Sequence, residues 1–356
     1  MTTVEWEKLG CGMVEVDDQS RSVEWLYSSG LTDGLPTVAP TPEAVMLMIG
    51  GGHLDPEVVI GSIPGRDMSI TVGQAAVCAV MAGALPEYFP VVLASWAAVL
   101  DPAFNAHGVL TSTSGVAVTC VVSGPYATRI GMNSGAGLFS PGNRANTTIG
   151  RALRLGAMCV FDARPGVLDA TAFGNGGKYS SHFAEKDPPG PWMPVRMRAG
   201  HDRNATTVTP MATDGPRTVR QTMHRDPHRM IRVFAAAMRD PTITKACRPG
   251  AGFLIVVGPE HADIFLQAGW TQDDVCRKIA QEAQISVAEL DYWGVELEAN
   301  KIWPADSNGL VATCAPEDIL LVTAGGFGAG FSSLLPSTRS PAGVKTVEVV
   351  TGDSVR

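Results

Sequence analysis

The sequence predicts an α/β protein built from two α/β halves with mostly parallel sheets, residues 1–204 and 205–356. Three observations carry that expectation. Short apolar runs such as "GFLIVVG" (252–258) and "DILLVTAGG" (318–326) read as strands buried on both faces. Helical patterns such as "PEHADIFLQAG" (259–269) follow them directly, as βα units require. The runs "VVSGPYATRIGMNS" (121–134) and "VVGPEHADIFLQAGWT" (256–271) share a strand, Gly-Pro, helix order, which suggests an old internal duplication.

The elements follow in order. "SVEWLYSSG" (22–30) is a short amphipathic helix, and Thr41 with Pro42 caps the helix beginning "PEAVMLMI". "MSITV" (68–72) is a strand, and 73–100 supplies two buried helices broken by "LPEYFP". "GVLTSTSG" (108–115) and "VAVTCVVSG" (116–124) are β-rich, and "TTIGRALRLGAM" (147–158) is a helix. Residues 163–200 are polar and rich in glycine and proline. Beyond them, "ATTVTPMAT" is a strand and "DPHRMIRVFAAAMRD" a helix, and Thr271 with Asp274 forms a capping box for the helix over 271–283. "TAGGFGAGFSS" (323–333) reads as strand, glycine turn and helix, and "VKTVEVV" closes the chain as a strand.

Composition bounds the partners. Hydrophobic residues are 45% of the 356 and charged residues 17%, so the chain has ample apolar surface for a core. A formal net charge of −8 argues against a nucleic-acid surface while leaving room for a small anionic ligand. The seven cysteines form no CxxC pair and sit largely in apolar runs, as reduced thiols do. No signal peptide and no membrane span are expected, so the chain is expected in the cytoplasm, as a homo-oligomer because surface charge is sparse.

Chemistry concentrates in a few stretches. "GMNSGAGLFSPGNRANTTIGRALRL" (131–155) leads a glycine-rich loop into a helix start, where free N–H groups favour an anion. Asn133, Ser134, Asn143, Arg144, Asn146 and Arg151 are its candidate substrate-binding residues, together with Asp33 from "TDGLP". The spacing matches neither a P-loop nor GxGxxG, so no cofactor is expected from it. "GNGGKYSSHFAE" (174–185) packs Lys178, Tyr179, His182 and Glu185 together. A desolvated lysine beside a tyrosine and a histidine can move protons, so Lys178, Tyr179 and His182 are catalytic candidates, with His107 of "FNAHG".

Other stretches carry less. Glu260 and His261 stand at a strand-to-helix turn, where an acidic residue suits the helix dipole. Ser332 and Ser333 lack the GxSxG of a nucleophile elbow. His201 with Asp202, and His224, Asp226 and His228, are the only closely spaced metal-ligand types. No metal site is assigned, though dispersed ligands would leave one open.

On "TDGLP", "PGNRAN-TIGRA", "GK-S" and "GPEHA", the chain resembles a bacterial family associated with UGSC-type (seleno)proteins, named for a redox-active thiol or selenol motif. The resemblance covers about 32 to 335 and implies that loops 32–36, 133–151 and 177–185 work together. Cys11 is followed by "GMV", so a thiol or selenol centre would belong to a separate partner protein. The expected function is an enzyme on a small anionic, carboxylated substrate, using lyase- or hydrolase-type acid/base chemistry. The alternatives are an accessory subunit of a thiol or selenol redox system, and a metal-dependent enzyme with dispersed ligands.

Overall fold

The computed structural model describes residues 11–16, 19–50, 54–239, 247–295, 302–328 and 330–351. Its helices are α1 Gln19–Ser28, α2 Pro42–Met48, α3 Val72–Ala82, α4 Phe89–Val99, α5 Ala106–Leu110, α6 Pro125–Arg129, α7 Arg144–Cys159, α8 Val195–Arg198, α9 Pro227–Met238, α10 Pro259–Gln267, α11 Gln272–Glu282 and α12 Val287–Tyr292. The strands are β1 Val59–Ile63, β2 Met68–Thr71, β3 Ala117–Ser123, β4 His182–Ala184, β5 Thr207–Thr213, β6 Arg217–Arg220, β7 Gly252–Val257, β8 Gln284–Ser286, β9 Leu310–Ala312, β10 Ile319–Thr323, β11 Phe331–Ser337 and β12 Val347–Glu348.

The class is α/β, around one large sheet of eight strands in the order β10-β7-β11-β5-β3-β4, with β12 beside β5 and β6 beside β11. The sheet is mixed rather than mostly parallel. β3–β4 and β7–β10 run parallel, while β5, β6, β11 and β12 pair antiparallel to their neighbours. β11 and β5 meet only at Ser337 and Thr213, so this contact joins β4-β3-β5-β12 to β6-β11-β7-β10. The expected boundary at 204/205 falls between β4 and β5 of the same half-sheet.

Strand alternation sorts the core. Cys120 and Val122 of β3 face a cluster with α3, α4 and α7, whereas Val121 joins Phe183, Met211, Leu254 and Val256 on the opposite face. Phe253, Ile255 and Val257 of β7 pack with α9, α10 and α11.

Local chemistry fixes the ends of the helices. Thr71 and Gln74 form a capping box for α3, whose C-terminus turns on Gly83 at φ 79°. The expected caps at Thr41 and Thr271 are present. Two glycines of α7 are required by close approach. A Cβ at Gly156 would lie 3.3 Å from Trp96 Cε2 and still closer to Cζ2, and one at Gly150 would meet Ser180 Oγ and lie 2.7 Å from His182 Nδ1.

Two expectations are corrected. The region around 106–110 is helix α5, capped by the Asn105 side chain, rather than strand. After the glycine turn, 331–337 is β11 rather than helix, because its backbone completes ladders with β6 and β7.

Candidate functional site

The site is built on the polar loop after α7. Gly166 N donates to Asp169 O, and Thr171 N donates to Asp169 Oδ1, so the loop folds tightly around Asp169. Ala172 N donates to Thr113 O, and the Asn175 side chain donates to Gly115 O, which ties the loop to the turn before β3. Asn175 Oδ1 accepts from Gly177 N and caps the 3-10 turn Gly176–Lys178, which delivers Lys178 back onto Asp169.

Lys178 Nζ lies 2.8 Å from both oxygens of Asp169 and 2.5 Å from Thr171 Oγ1. The three ammonium hydrogens therefore match three acceptors, and the Thr171 hydroxyl can donate to Asp169 Oδ1 at 2.5 Å. Arg154, from α7, places Nη1 3.2 Å from Asp169 Oδ2. The Asp169 side chain is 2% exposed, against 13% for Arg154 and 17% for Lys178. Two cations face one carboxylate, leaving a positive charge in a poorly solvated place.

Burial lowers the Lys178 pKa, against the pull of the Asp169 carboxylate, and the Arg154 charge lowers it further. For Asp169, burial pushes the carboxyl up, but the hydrogen bonds from Lys178 and Thr171 outweigh it and the net direction is down. Arg154, Asp169 and Lys178 line two cavities at once. The outer, of about 440 Å3, is bordered by Asp33, Thr171, Phe173, Asn175 and Tyr179. The inner, of about 40 Å3, lies against Trp96, Val116, Leu153 and Ala157.

Of the residues expected from sequence, this site gathers Lys178, Tyr179 and Asp33. Tyr179 is 52% exposed at the edge of the outer cavity. Asp33 is gripped by Arg151, whose Nε and Nη2 each lie 2.8 Å from a carboxylate oxygen while Nη2 also donates to Pro36 O. That fork clamps the "TDGLP" turn onto α7.

The other candidates lie apart. Arg144 and Arg154 are ten residues apart on α7, about 15 Å along its axis. Arg144 Nε donates to Gly83 O at the end of α3. Asn143 caps α7 and donates to Gly131 O, and Asn146 exchanges hydrogen bonds with the backbone N and O of Asn133. The Asn133 side chain accepts from Gly135 N and donates to Ala136 O, and Ser134 O accepts from Gly325 N. The polar groups of this glycine-rich loop are thus spent on holding its own backbone and its neighbours. "GKYSSH" runs along the first half of α7: Ser180 Oγ donates to Asn146 O in the first turn, and Ser180 and His182 press on Gly150 one turn further on.

His107 is exposed on α5. His182, in β4, is 4% exposed and lines neither cavity. Among the described residues neither of its ring nitrogens has a hydrogen-bond partner, and burial drops its pKa to about 3, so the ring is neutral. Glu185 directly follows β4. Its Oε2 accepts from Ser123 Oγ and Val195 N, and burial pushes its carboxyl up to about 7.

Ser332 Oγ accepts from Gly258 N and lies 2.7 Å from Nδ1 of the buried His261, whose Nε2 faces Gln221 O. The pair binds β11 to the start of α10 and lines neither cavity. Asp226 caps α9, and the His228 ring meets Trp270 edge-on at 5.0 Å. Among the described residues no group of three or more His, Cys, Asp or Glu is placed to hold a metal ion, and no helix is long and apolar enough to cross a membrane. All seven cysteines are free, and burial raises the pKa of each thiol.

Sequence reasoning missed Asp169 and Trp96 and assigned Arg154 no role. Asp169 had a signal: it is the one carboxylate between Pro165 and Lys178 in a loop rich in glycine. Trp96 had none, because it sits inside an apolar helix that reads as core throughout. No family model matches the chain, and no curated protein matches it.

Proposed function

We propose that the chain is an enzyme acting on a small carboxylated molecule by general acid/base chemistry, of the lyase or hydrolase type. The observation that carries this reading is the triad Asp169–Lys178–Arg154 at the seam of two cavities, a buried carboxylate between two partly buried cations, with one positive charge in excess. A substrate carboxylate supplies the missing negative charge, and Arg154 offers it guanidinium hydrogens beyond the single bond given to Asp169. Lys178 then moves the proton. Its lowered pKa brings the neutral amine nearer to working pH, while Asp169 and Thr171 hold Nζ in place and receive its hydrogens. The protein works, in this reading, in the cytoplasm and as a homo-oligomer; Phe173, wholly exposed on the rim of the outer cavity, is apolar surface for a second copy to cover.

The experiment is a proton-NMR screen of the full chain against small carboxylates and their uncharged amides. Conversion of at least one carboxylate is expected. Conversion of the amides alone would contradict the reading.

One observation favours the accessory-subunit reading: Cys11, Cys78 and Cys159 line a single cleft of about 750 Å3, a place for a thiol- or selenol-bearing partner. The raised pKa of all three thiols weighs against their reacting there. Co-purification of a small cysteine- or selenocysteine-containing protein would favour it.

A further inference from the structure

The inner cavity has a chemistry of its own. Most of its wall is apolar, from Trp96, Val99, Leu110, Val116 and Leu153; Ser180 is the one neutral hydroxyl, already donating to Asn146 O, and the chamber closes on Arg154, Asp169 and Lys178. Its volume of about 40 Å3, against about 440 Å3 for the outer cavity, leaves room for a short tail only. Trp96 is 1% exposed, and among the described residues its Nε1–H has no hydrogen-bond partner. A buried indole N–H without an acceptor is uncommon in a folded chain, because its lost hydration is not repaid. Gly156 lets this ring lie flush against α7, and Phe161 flanks it with ring centroids 5.5 Å apart, so the indole is fixed in position.

We infer that the substrate of the proposed site is a short monocarboxylate whose tail is compact, uncharged and carries one hydrogen-bond acceptor. The carboxylate meets the guanidinium hydrogens of Arg154 beyond the one given to Asp169, close beside Lys178; the tail fills the inner chamber, and the acceptor takes the Trp96 Nε1–H. This rests on the carboxylate reading above and narrows it. A second charge on the tail is excluded, since an ion placed among these apolar walls would lose its hydration with no cation left to meet it. A long tail is excluded by volume.

Isothermal titration of the full chain with pentanoate, 4-oxopentanoate and succinate tests this. Their tails are apolar, acceptor-bearing and charged respectively. The expected order is 4-oxopentanoate tightest, pentanoate several-fold weaker, and succinate at least tenfold weaker than pentanoate. Trp96→Phe, which removes the N–H and keeps a ring, should bring 4-oxopentanoate to the level of pentanoate. Succinate binding as tightly as pentanoate overturns the inference while leaving a carboxylate site standing. So does 4-oxopentanoate binding no tighter than pentanoate to the wild-type chain, a comparison that needs no variant to fold. Binding of none of the three overturns the carboxylate reading and this inference with it.

Discussion

Asp169 holds Lys178 through two equal contacts of 2.8 Å, and it does so from a position only 2% exposed. The carboxylate is the sole negative charge among the three ionised groups of the triad, and it joins a lysine nine residues away to an arginine on α7. The stability of this loop and the acidity of Lys178 both depend on it.

Asp169→Asn should therefore destabilise the chain by about 3–5 kcal/mol, the range for a buried ion pair stripped of one partner. Urea unfolding measures this. The double variant with Lys178→Met should recover part of the loss, because it removes a cation that the first change leaves uncompensated. Losses that simply add would show that the two groups do not interact.

Arg151→Lys should cost nearly as much as Arg151→Ala. The Arg151 fork meets both oxygens of Asp33 and the carbonyls of Leu35 and Pro36, a planar pattern that an ammonium cannot reproduce. Faster proteolytic cleavage near residues 31–36 in both variants is the expected reading. Protection by lysine equal to wild type would contradict it.

Gly150→Ala should destabilise by about 1–3 kcal/mol, against the usual gain for such a change in a helix, because the new methyl overlaps Ser180 and His182. Thermal unfolding decides the sign. A more stable Gly150→Ala protein would mean that β4 does not press on α7 at this point.

Two buried groups give opposing pH dependences. The unfolded chain binds a proton at His182 below about 6.5, whereas the folded ring stays neutral to about 3; stability from this group falls as pH falls through that window. Glu185 works the other way. Between 4.5 and about 7 the folded carboxyl keeps a proton that the unfolded chain has released, so stability falls as pH rises. From 4.5 to 6.5 the two slopes cancel. Glu185→Gln removes one of them, and stability should then rise with pH there by on the order of 1.4 kcal/mol per unit. Urea midpoints at three pH values test this; a variant curve parallel to wild type would contradict it.

What could be read from sequence was local. Thr41 and Thr271 announce helices that start at the next residue, and the apolar runs at 252–257 and 319–323 announce buried strands. Lys178 was legible because a lysine after a glycine run in a polar loop has few structural uses. Strand direction was not legible: β11 follows a glycine turn, and only its ladders with β6 and β7 show that it runs back antiparallel. The amides of Asn133, Asn143 and Asn146 looked like ligand-binding groups, yet each closes a backbone bond inside its own loop. The Arg151–Asp33 fork spans 118 residues of sequence, beyond the reach of any local pattern.

The central claim is that Lys178 moves a proton on a carboxylate substrate. Rates of conversion by wild type and Lys178→Met, measured by proton NMR on whichever carboxylate the screen identifies, test it most directly. A loss of about 10²–10⁴-fold is predicted, the range for removing a general acid or base, with the variant shown to be folded by an unchanged circular dichroism spectrum. A folded Lys178→Met protein that converts the substrate at the wild-type rate would contradict the claim.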